Sequence, residues 1–333
     1  MPYWSPPRIA AHRVAALTLI GLLWPVLPAP AQGNFPSRPV QFVVPYSAGG
    51  GTDIITRVMS ERLQADLKQP FPVENKPGAG GSVGGSYVAN SAPDGYTILM
   101  GSPGPLITNQ FLYSTTPYDP ARAFAPVILV ARLPNVLVVH PSLGVKSTQE
   151  LIDKARLNSG LINFASGGTG TSGHLSMELF KAMSGTNLSH VPYKGTGQAL
   201  QDVVAGRVPV LFDNVTPLLP HIQAGTLLAL GVSTRNPIAS LPNTSPVADA
   251  VAGFEASSWV AIVAPGRVPP TIIERLNVSA NQILKDPVVS QRLQAVGATP
   301  AGGSSDELGS FLVEETAKWK KVIDLAGIAA TAQ

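Results

Sequence analysis

Short apolar runs alternate along this chain with longer segments of helical periodicity. The run at residues 40–44 precedes a segment in which apolar side chains recur every three or four positions. This spacing places them on one face of a helix. They are Ile54, Ile55, Val58, Met59, Leu63 and Leu67. Because strands alternate with helices, the pattern favours an α/β fold over an all-β sandwich.

The same alternation predicts most of the remaining elements. Apolar runs predict strands at residues 98–100, 162–165, 208–212, 227–232 and 260–264, and residues 190–193 resemble the end of another strand. Helical patterns occupy residues 147–157, 197–205, 270–284 and 308–322, and a further helix carries Leu175, Leu179 and Met183. The helix at 147–157 opens with a capping box formed by Ser147 and Glu150.

Four of the apolar runs end in turns rich in glycine and hydroxyl side chains. These turns lie at Ala48, Gly101, Ser166 and Tyr193. In open α/β sheets, ligands bind in the crevice at the carboxyl ends of the strands. We therefore expect the four turns to converge on a cleft that is lined by backbone N–H donors.

The stretch PYSAGGGTD, residues 45–53, carries the strongest signal for binding. It joins a predicted strand to a predicted helix through three glycines. Such a junction presents unpaired amides and the positive end of a helix dipole, which attract an anion. The stretch contains no lysine or arginine. By itself it is compatible with a phosphate, a nucleotide or a carboxylate.

The first 31 residues predict a signal peptide. Arg8, His12 and Arg13 provide a positive start, residues 14–27 form an apolar core, and residues 29–31 read Ala-Pro-Ala. The core of 14 residues is short for a membrane span, which needs about 20. We expect export to the periplasm with cleavage after Ala31. Since no cysteine follows, lipid attachment at a processed cysteine is excluded.

Charge and cysteine content narrow the function classes. The whole chain carries 23 Lys+Arg and 20 Asp+Glu, and loss of the two arginines of the signal peptide leaves a net charge of +1. With no basic cluster, nucleic acid is not an expected partner. The absence of cysteine excludes thiol nucleophiles and cysteine-bound metals. About 300 residues exceed one typical core, which predicts two lobes.

Known catalytic and nucleotide motifs do not fit well. Residues 168–173 read G-x-G-x-x-G, but no acid follows about 20 residues later to bind a ribose. No P-loop is present, and no serine lies in a G-x-S-x-G elbow. The histidines outside the signal peptide lack metal-ligand spacing. Neither a cofactor nor a metal is expected.

Four residues beside the turns have two interpretations each. Asp53 is an acid/base candidate or, as we prefer, a helix cap; His174 faces a ligand or caps its loop. Lys194 is a solvated side chain or a contact for an anion. Asp213 holds an ammonium or hydroxyl of a ligand, or fixes the turn at Asn214.

Several motifs in a fixed order resemble the Bug-type receptors of tripartite tricarboxylate transporters. The resemblance covers the chain from Phe35 to the terminal helix, and the motifs are FPSRPVQFVVPYSAGGGTDI, VENKPGAGGSVGG, APDGYTILMGS, GTGTSGHLSMELF, VPYKGTGQALQDVVAGRV and LFDNVTPLLPHI. It implies a two-lobed periplasmic binding protein of the type II-like α/β fold. Such a receptor closes on a small mono- or dicarboxylate, performs no bond-making chemistry and delivers its ligand to membrane permease subunits.

The resemblance also implies a set of ligand-binding residues. They are Tyr46, Ala48, Gly49, Thr52, Asp53, Ser102, Ser166, Thr171, Ser172, His174, Tyr193, Lys194, Gly195 and Asp213. It further implies that two chain crossings, near residues 131–132 and 257–258, join the lobes. One lobe would comprise residues 33–131 and 258–333, and the other residues 132–257. We expect a monomer.

Two alternatives to a transport receptor stay open at this point. The same fold serves as a ligand sensor that reports to a membrane kinase. A secreted hydrolase that uses Ser172 with His174 is the candidate from a different class.

Overall fold

The computed structural model describes residues 1–5 and 35–328, and the predicted α/β architecture is confirmed. Most of the predicted signal peptide, residues 6–31, lies outside the described residues.

The described residues form ten strands. They are β1 (Gln41–Val44), β2 (Val73–Asn75), β3 (Thr97–Gly101), β4 (Phe124–Val139), β5 (Asn163–Ser166), β6 (Ser189–Pro192), β7 (Val210–Asn214), β8 (Leu228–Val232), β9 (Ser257–Pro265) and β10 (Thr299–Gly302).

Eleven α-helices accompany the strands in the described residues. They are α1 (Gly51–Leu67), α2 (Ser82–Ala89), α3 (Asn109–Leu112), α4 (Pro120–Ala123), α5 (Thr148–Leu157), α6 (Ser172–Ser184), α7 (Thr196–Val204), α8 (Val215–Gln223), α9 (Pro270–Lys285), α10 (Pro287–Ala295) and α11 (Ser305–Ala326). A π-helical turn, Gly104–Thr108, precedes α3. Within the described ranges, no helix has both the length and the apolar character needed to cross a membrane.

Two sets of parallel strands define two lobes. In the first lobe β2, β1 and β3 are parallel, and β9 runs antiparallel beside β3. In the second lobe β6, β5 and β7 are parallel, and the end of β4 runs antiparallel beside β7. The carboxyl ends of each parallel set are where this class of sheet binds ligands.

The long strand β4 connects the two lobes, and the apolar pattern did not predict it. It pairs with β9 from Phe124 to Pro134, and from Asn135 onward it pairs with β7 and β8. Prolines lie at positions 126 and 134 of this strand. Because proline cannot donate to a strand ladder, a run that contains proline is not read as a central strand. Residues 131–132, at one predicted crossing, pair with β9 three residues before the change of partner. The lobe boundaries stay a prediction.

Most predicted elements are present with shifted ends. The strand predicted at 208–212 is β7, which continues through Asp213 and Asn214 because both residues pair with β4. The predicted terminal helix begins earlier, at Ser305, where Ser304 and Glu307 form a reciprocal capping box. Strands β2, β4 and β10 and helices α2, α3, α4, α8 and α10 had no counterpart among the predictions.

A buried carboxylate joins the terminal helix to the first-lobe sheet. The Glu315 Oε2 atom accepts hydrogen bonds from the indole nitrogens of Trp259, at 2.9 Å, and Trp319, at 3.0 Å. Both indoles are about 1% exposed. Glu315 therefore satisfies two donors that would otherwise be buried without a partner.

We predict that Glu315→Ala lowers the free energy of unfolding by about 2–5 kcal/mol, because each orphaned buried donor costs about 1–3 kcal/mol. Urea denaturation measures this loss. The exposed neighbour provides a control: Glu314→Ala should stay within about 0.5 kcal/mol of wild type. Equal effects of the two substitutions would contradict the assignment.

Candidate functional site

A narrow cleft lies at the carboxyl ends of the strands and between the lobes. Its lining comes from the turns and helix starts that follow β1, β3, β5 and β6, from the end of β7 and from the start of β9. The lining residues are Tyr46, Gly50, Gly51, Thr52, Ser102, Gly167, Thr171, Ser172, Thr196, Asp213, Asn214 and Ser258.

Four helix N-termini point at this cleft. Its lining includes the first residues of α1, α6 and α7 and the residue that precedes α8. The first-turn amides of a helix have no acceptor inside the helix. Each N-terminus also carries a partial positive charge of roughly half an elementary charge. The helix N-termini therefore contribute a positive potential, and no cationic side chain is among the described lining residues.

The amides at two of these N-termini are available to a ligand. In the described part of the chain, the N–H groups of Gly51, Thr52 and Ser172 have no hydrogen-bond acceptor. Gly50, which caps α1, has no side chain that could compete for them. Thr171 caps α6 with its hydroxyl, but this oxygen accepts from the amide of His174. Both helix starts thus keep free donors for an anion.

Hydroxyl groups supply the rest of the polar lining. The Tyr46 and Ser102 hydroxyls lie 2.8 Å apart, and Ser258 faces the same space. Burial raises the pKa of Tyr46, so its phenol keeps its proton. A hydroxyl both donates and accepts hydrogen bonds, so these groups can bind either a carboxylate or another polar group of a ligand.

Asp213 is the single ionisable carboxyl in the lining formed by the described residues, and no Lys, Arg or His side chain lines the cleft there. It accepts from the Thr196 hydroxyl at 2.8 Å and from the Asn214 amide at 2.7 Å. Burial raises its pKa to about 6, although these bonds and one from the Gly167 amide act in the opposite direction.

The structure brings six of the fourteen predicted residues into the cleft lining. They are Tyr46, Thr52, Ser102, Thr171, Ser172 and Asp213. The other eight lie nearby but outside the lining, in three groups with different contacts.

Asp53 bonds to groups of its own lobe, and none of its donors is a first-turn amide of α1. Its carboxylate accepts from the Gly49 amide, from the Arg57 guanidinium through two nitrogens, and from the Asn75 amide group, all at 3.0 Å. Burial alone would raise the pKa of Asp53, but these bonds outweigh it and lower the pKa. The carboxylate and the Gly49 amide are thus both engaged within the protein.

His174 and Ser166 lie beneath the second-lobe loop. The His174 Nδ1 atom accepts from the Gly170 amide at 3.3 Å, and the Ser166 hydroxyl accepts from the Gly168 amide at 3.1 Å. His190 lies 2.6 Å from the same Ser166 hydroxyl, and the two imidazoles stack at 4.2 Å. His174 and Ser166 thus hold the loop through the Gly170 and Gly168 amides.

The last four predicted residues lie outside the lining, where the first-lobe loop meets the second lobe. They are Ala48, Tyr193, Lys194 and Gly195. The Ser47 amide donates to the Lys194 carbonyl at 3.2 Å, while the Lys194 side chain is exposed. A Cβ atom on Gly195 would overlap Ser47, and one on Gly197 would overlap the Ala48 carbonyl. The Tyr193 hydroxyl donates to Asp202 at 2.6 Å.

Sequence reasoning missed six lining residues: Gly50, Gly51, Gly167, Thr196, Asn214 and Ser258. Gly50 and Gly51 were inside the PYSAGGGTD stretch, so a rule that favours the N-cap and the first helical residue would have found them. Ser258 lies at the start of β9, where no turn signal marks it.

Metal and hydrolase chemistry find no support in the described residues. They contain no group of three or more His, Cys, Asp or Glu side chains that could hold a metal ion. Within them, His174 bonds to the Gly170 amide and makes no hydrogen bond to Ser172. A serine nucleophile needs a base within hydrogen-bond reach.

Comparison with known proteins identifies the family. A family model described as tripartite tricarboxylate transporter family receptor matches residues 55–328. The chain is 36% identical to Protein BugT of Bordetella pertussis, over 88% of this chain and 91% of that protein. The resemblance predicted from the sequence is thereby confirmed.

Solved structures show the same two-lobed fold. R. palustris Rpa4515 with adipate superposes with a TM-score of 0.87 at 38% identity, covering 89% of this chain and all of that one. MatC from Rhodopseudomonas palustris with bound malate gives a TM-score of 0.83 at 28% identity, covering 87% of this chain and all of that one.

The histidine pair predicts a pH-dependent stability. Burial, followed by the nearby Lys181, lowers the pKa of His190 to about 4; burial, His190 and Lys181 lower that of His174. Between pH 6.5 and 4, these histidines therefore bind protons in the unfolded chain but not in the native protein. Stability should fall as pH falls through this window, by up to about 1.4 kcal/mol per pH unit for each histidine.

Urea denaturation of wild type and His190→Gln between pH 4.5 and 7 measures this slope. We expect a shallower slope in His190→Gln than in wild type. Identical slopes in the two proteins would refute the effect.

Proposed function

Because this chain belongs to the tripartite tricarboxylate transporter receptor family, we propose that its cleft captures a small mono- or dicarboxylate and releases it unchanged to the membrane permease subunits. Members of this family are periplasmic solute-binding receptors, and this protein is a receptor of that kind, not an enzyme.

One observation carries the choice of ligand class: unpaired amides of two helices from opposite lobes face a cleft that no cationic side chain lines in the described residues. Backbone donors bind a carboxylate strongly because hydrogen bonds to charged groups are about twice as strong as neutral ones. They also leave no buried charge when the cleft is empty, which avoids a large desolvation cost.

The proposed contacts follow from this geometry. One carboxylate lies between the first turns of α1 and α6, where Thr52 and Ser172 offer both amides and hydroxyls. Tyr46 and Ser102 adjoin it on the first-lobe side. The bound adipate and malate of the two related structures fit this ligand class.

Asp213 lies beside the start of α6, where a Cβ on Gly173 would come within 3.0 Å of its carboxyl carbon. Its ionised carboxylate only accepts hydrogen bonds. A ligand that places a hydroxyl or ammonium there gains an acceptor. A second ligand carboxylate there requires a proton on one of the two groups, since two adjacent buried carboxylates do not both ionise.

The remaining features of the proposal concern export and closure. The signal peptide is cleaved after Ala31, and the mature protein is a monomer. The two lobes, residues 33–131 with 258–333 and residues 132–257, rotate about the strand crossings to close on the ligand.

A thermal-shift panel of mono- and dicarboxylates tests the ligand class. A ligand at 100 times its Kd should raise the free energy of unfolding by about 2.7 kcal/mol. Adipamide is the matched control for adipate, since it keeps the chain length without the charge, and it should give no shift. The proposal fails if amines or sugars stabilise the protein while no carboxylate does.

The contribution of the backbone donors is testable at Ser172. Proline is tolerated at the first helical position, and Thr171, at φ −67° and ψ 157°, already has the conformation required before proline. Ser172→Pro removes the amide donor, whereas Ser172→Val adds comparable bulk and keeps it. Titration calorimetry with the best carboxylate of the panel should show about 10- to 100-fold weaker binding for Ser172→Pro than for Ser172→Val. Equal affinities would contradict amide binding.

A further inference from the structure

The lobes also meet at a second place, beside the cleft. There the Thr108 hydroxyl of the first lobe donates to the Gly170 carbonyl at 2.8 Å. The Tyr113 hydroxyl donates to the neighbouring Thr169 carbonyl at 3.1 Å. None of these four residues lines the cleft. Two first-lobe side chains thus hold two consecutive carbonyls of the second-lobe loop.

The segment at Gly80 completes this contact. Gly80 has a left-handed φ of 58°, and a Cβ atom on it would overlap the Thr169 carbonyl oxygen. Asn109 fixes the segment by donating to the Gly80 carbonyl at 3.1 Å and to the Ser82 hydroxyl at 2.8 Å. Glycine at position 80 lets the two lobes approach to hydrogen-bond distance.

The held loop leads directly into the cleft. Its carbonyls at 169 and 170 precede Thr171 and Ser172, which line the cleft. A peptide unit is planar, so fixing the Gly170 carbonyl fixes the orientation of the unit that leads into Thr171. The loop has its own support from below, through the Gly170 amide and His174. Bonds from the first lobe add a constraint that exists only while the lobes are together.

We propose that Thr108 and Tyr113 are positioning residues that hold the second-lobe binding loop in the closed form and raise ligand affinity without touching the ligand. The inference rests on the proposed function, because it takes closure of the two lobes to create the state that binds the ligand. Apparent affinity scales with the population of that state. Each hydroxyl therefore strengthens binding through the open–closed equilibrium.

Tyr113→Phe, compared with Tyr118→Phe, tests the proposal. Both tyrosines donate to a backbone carbonyl, but the Tyr118 hydroxyl bonds to Pro105 within its own lobe, at 2.8 Å. With adipate and malate as probes, Tyr113→Phe should raise Kd by about 2- to 10-fold, mainly through faster dissociation. Tyr118→Phe should bind as wild type does.

A ligand-free measurement separates this inference from the proposed function. The chain has no cysteine, so Leu157→Cys and Val288→Cys, on exposed sites of opposite lobes, accept spin labels selectively. In the absence of ligand, Tyr113→Phe should shift the distance distribution toward longer distances, and Tyr118→Phe should not. If the two variants give the same distribution, the inference is overturned. If no carboxylate binds, the proposed function fails, while the distances still decide the inference.

Gly80→Ala provides a steric version of the same test. Gly185→Ala is its control, because Gly185 has a similar φ of 65° but no atom of the described residues within 4 Å of an added Cβ. Both substitutions share the backbone strain. Only Gly80→Ala should lengthen the distances between the labels and weaken binding by more than about 10-fold. If the distances between the labels in Gly80→Ala are as short as in wild type, the proposed contact is overturned.

Discussion

The structure depends on one constraint: the amides at the starts of α1 and α6 need an acceptor, and residues 1–5 and 35–328 do not provide one. The parallel strands direct these helix starts toward one cleft, and glycine at the cap of α1 leaves its donors uncovered. A buried N–H without a partner is costly. In the proposed complex, an anionic ligand would relieve that cost at both lobes together, which would couple binding to closure.

This arrangement explains how a cleft without cations in its described lining can select an anion. A lysine or arginine in the cleft would be buried and unpaired in the closed, empty form. Helix N-termini give a fixed positive potential that needs no counter-ion. Asp213 adds an acceptor beside the start of α6, and burial raises its pKa to about 6.

The sequence allowed much of the fold and about half of the site to be predicted. Periodicity located six of the eleven described helices and the strands before the glycine turns, but the prolines in β4 concealed the longest strand. Tyr46, Thr52, Ser102, Thr171, Ser172 and Asp213 line the cleft as expected. Ala48 and Lys194 instead lie where the lobes meet, and Asp53 is engaged by Arg57. The motif gives the neighbourhood of each residue, but only packing determines which atoms face the cleft.

A crystal structure with a bound carboxylate tests the central claim most directly. The account predicts carboxylate oxygens within about 2.7–3.2 Å of first-turn amide nitrogens of α1 and α6, with no cationic side chain as partner. A carboxylate paired with the Lys194 or Arg57 side chain, or seated away from both helix starts, would contradict it.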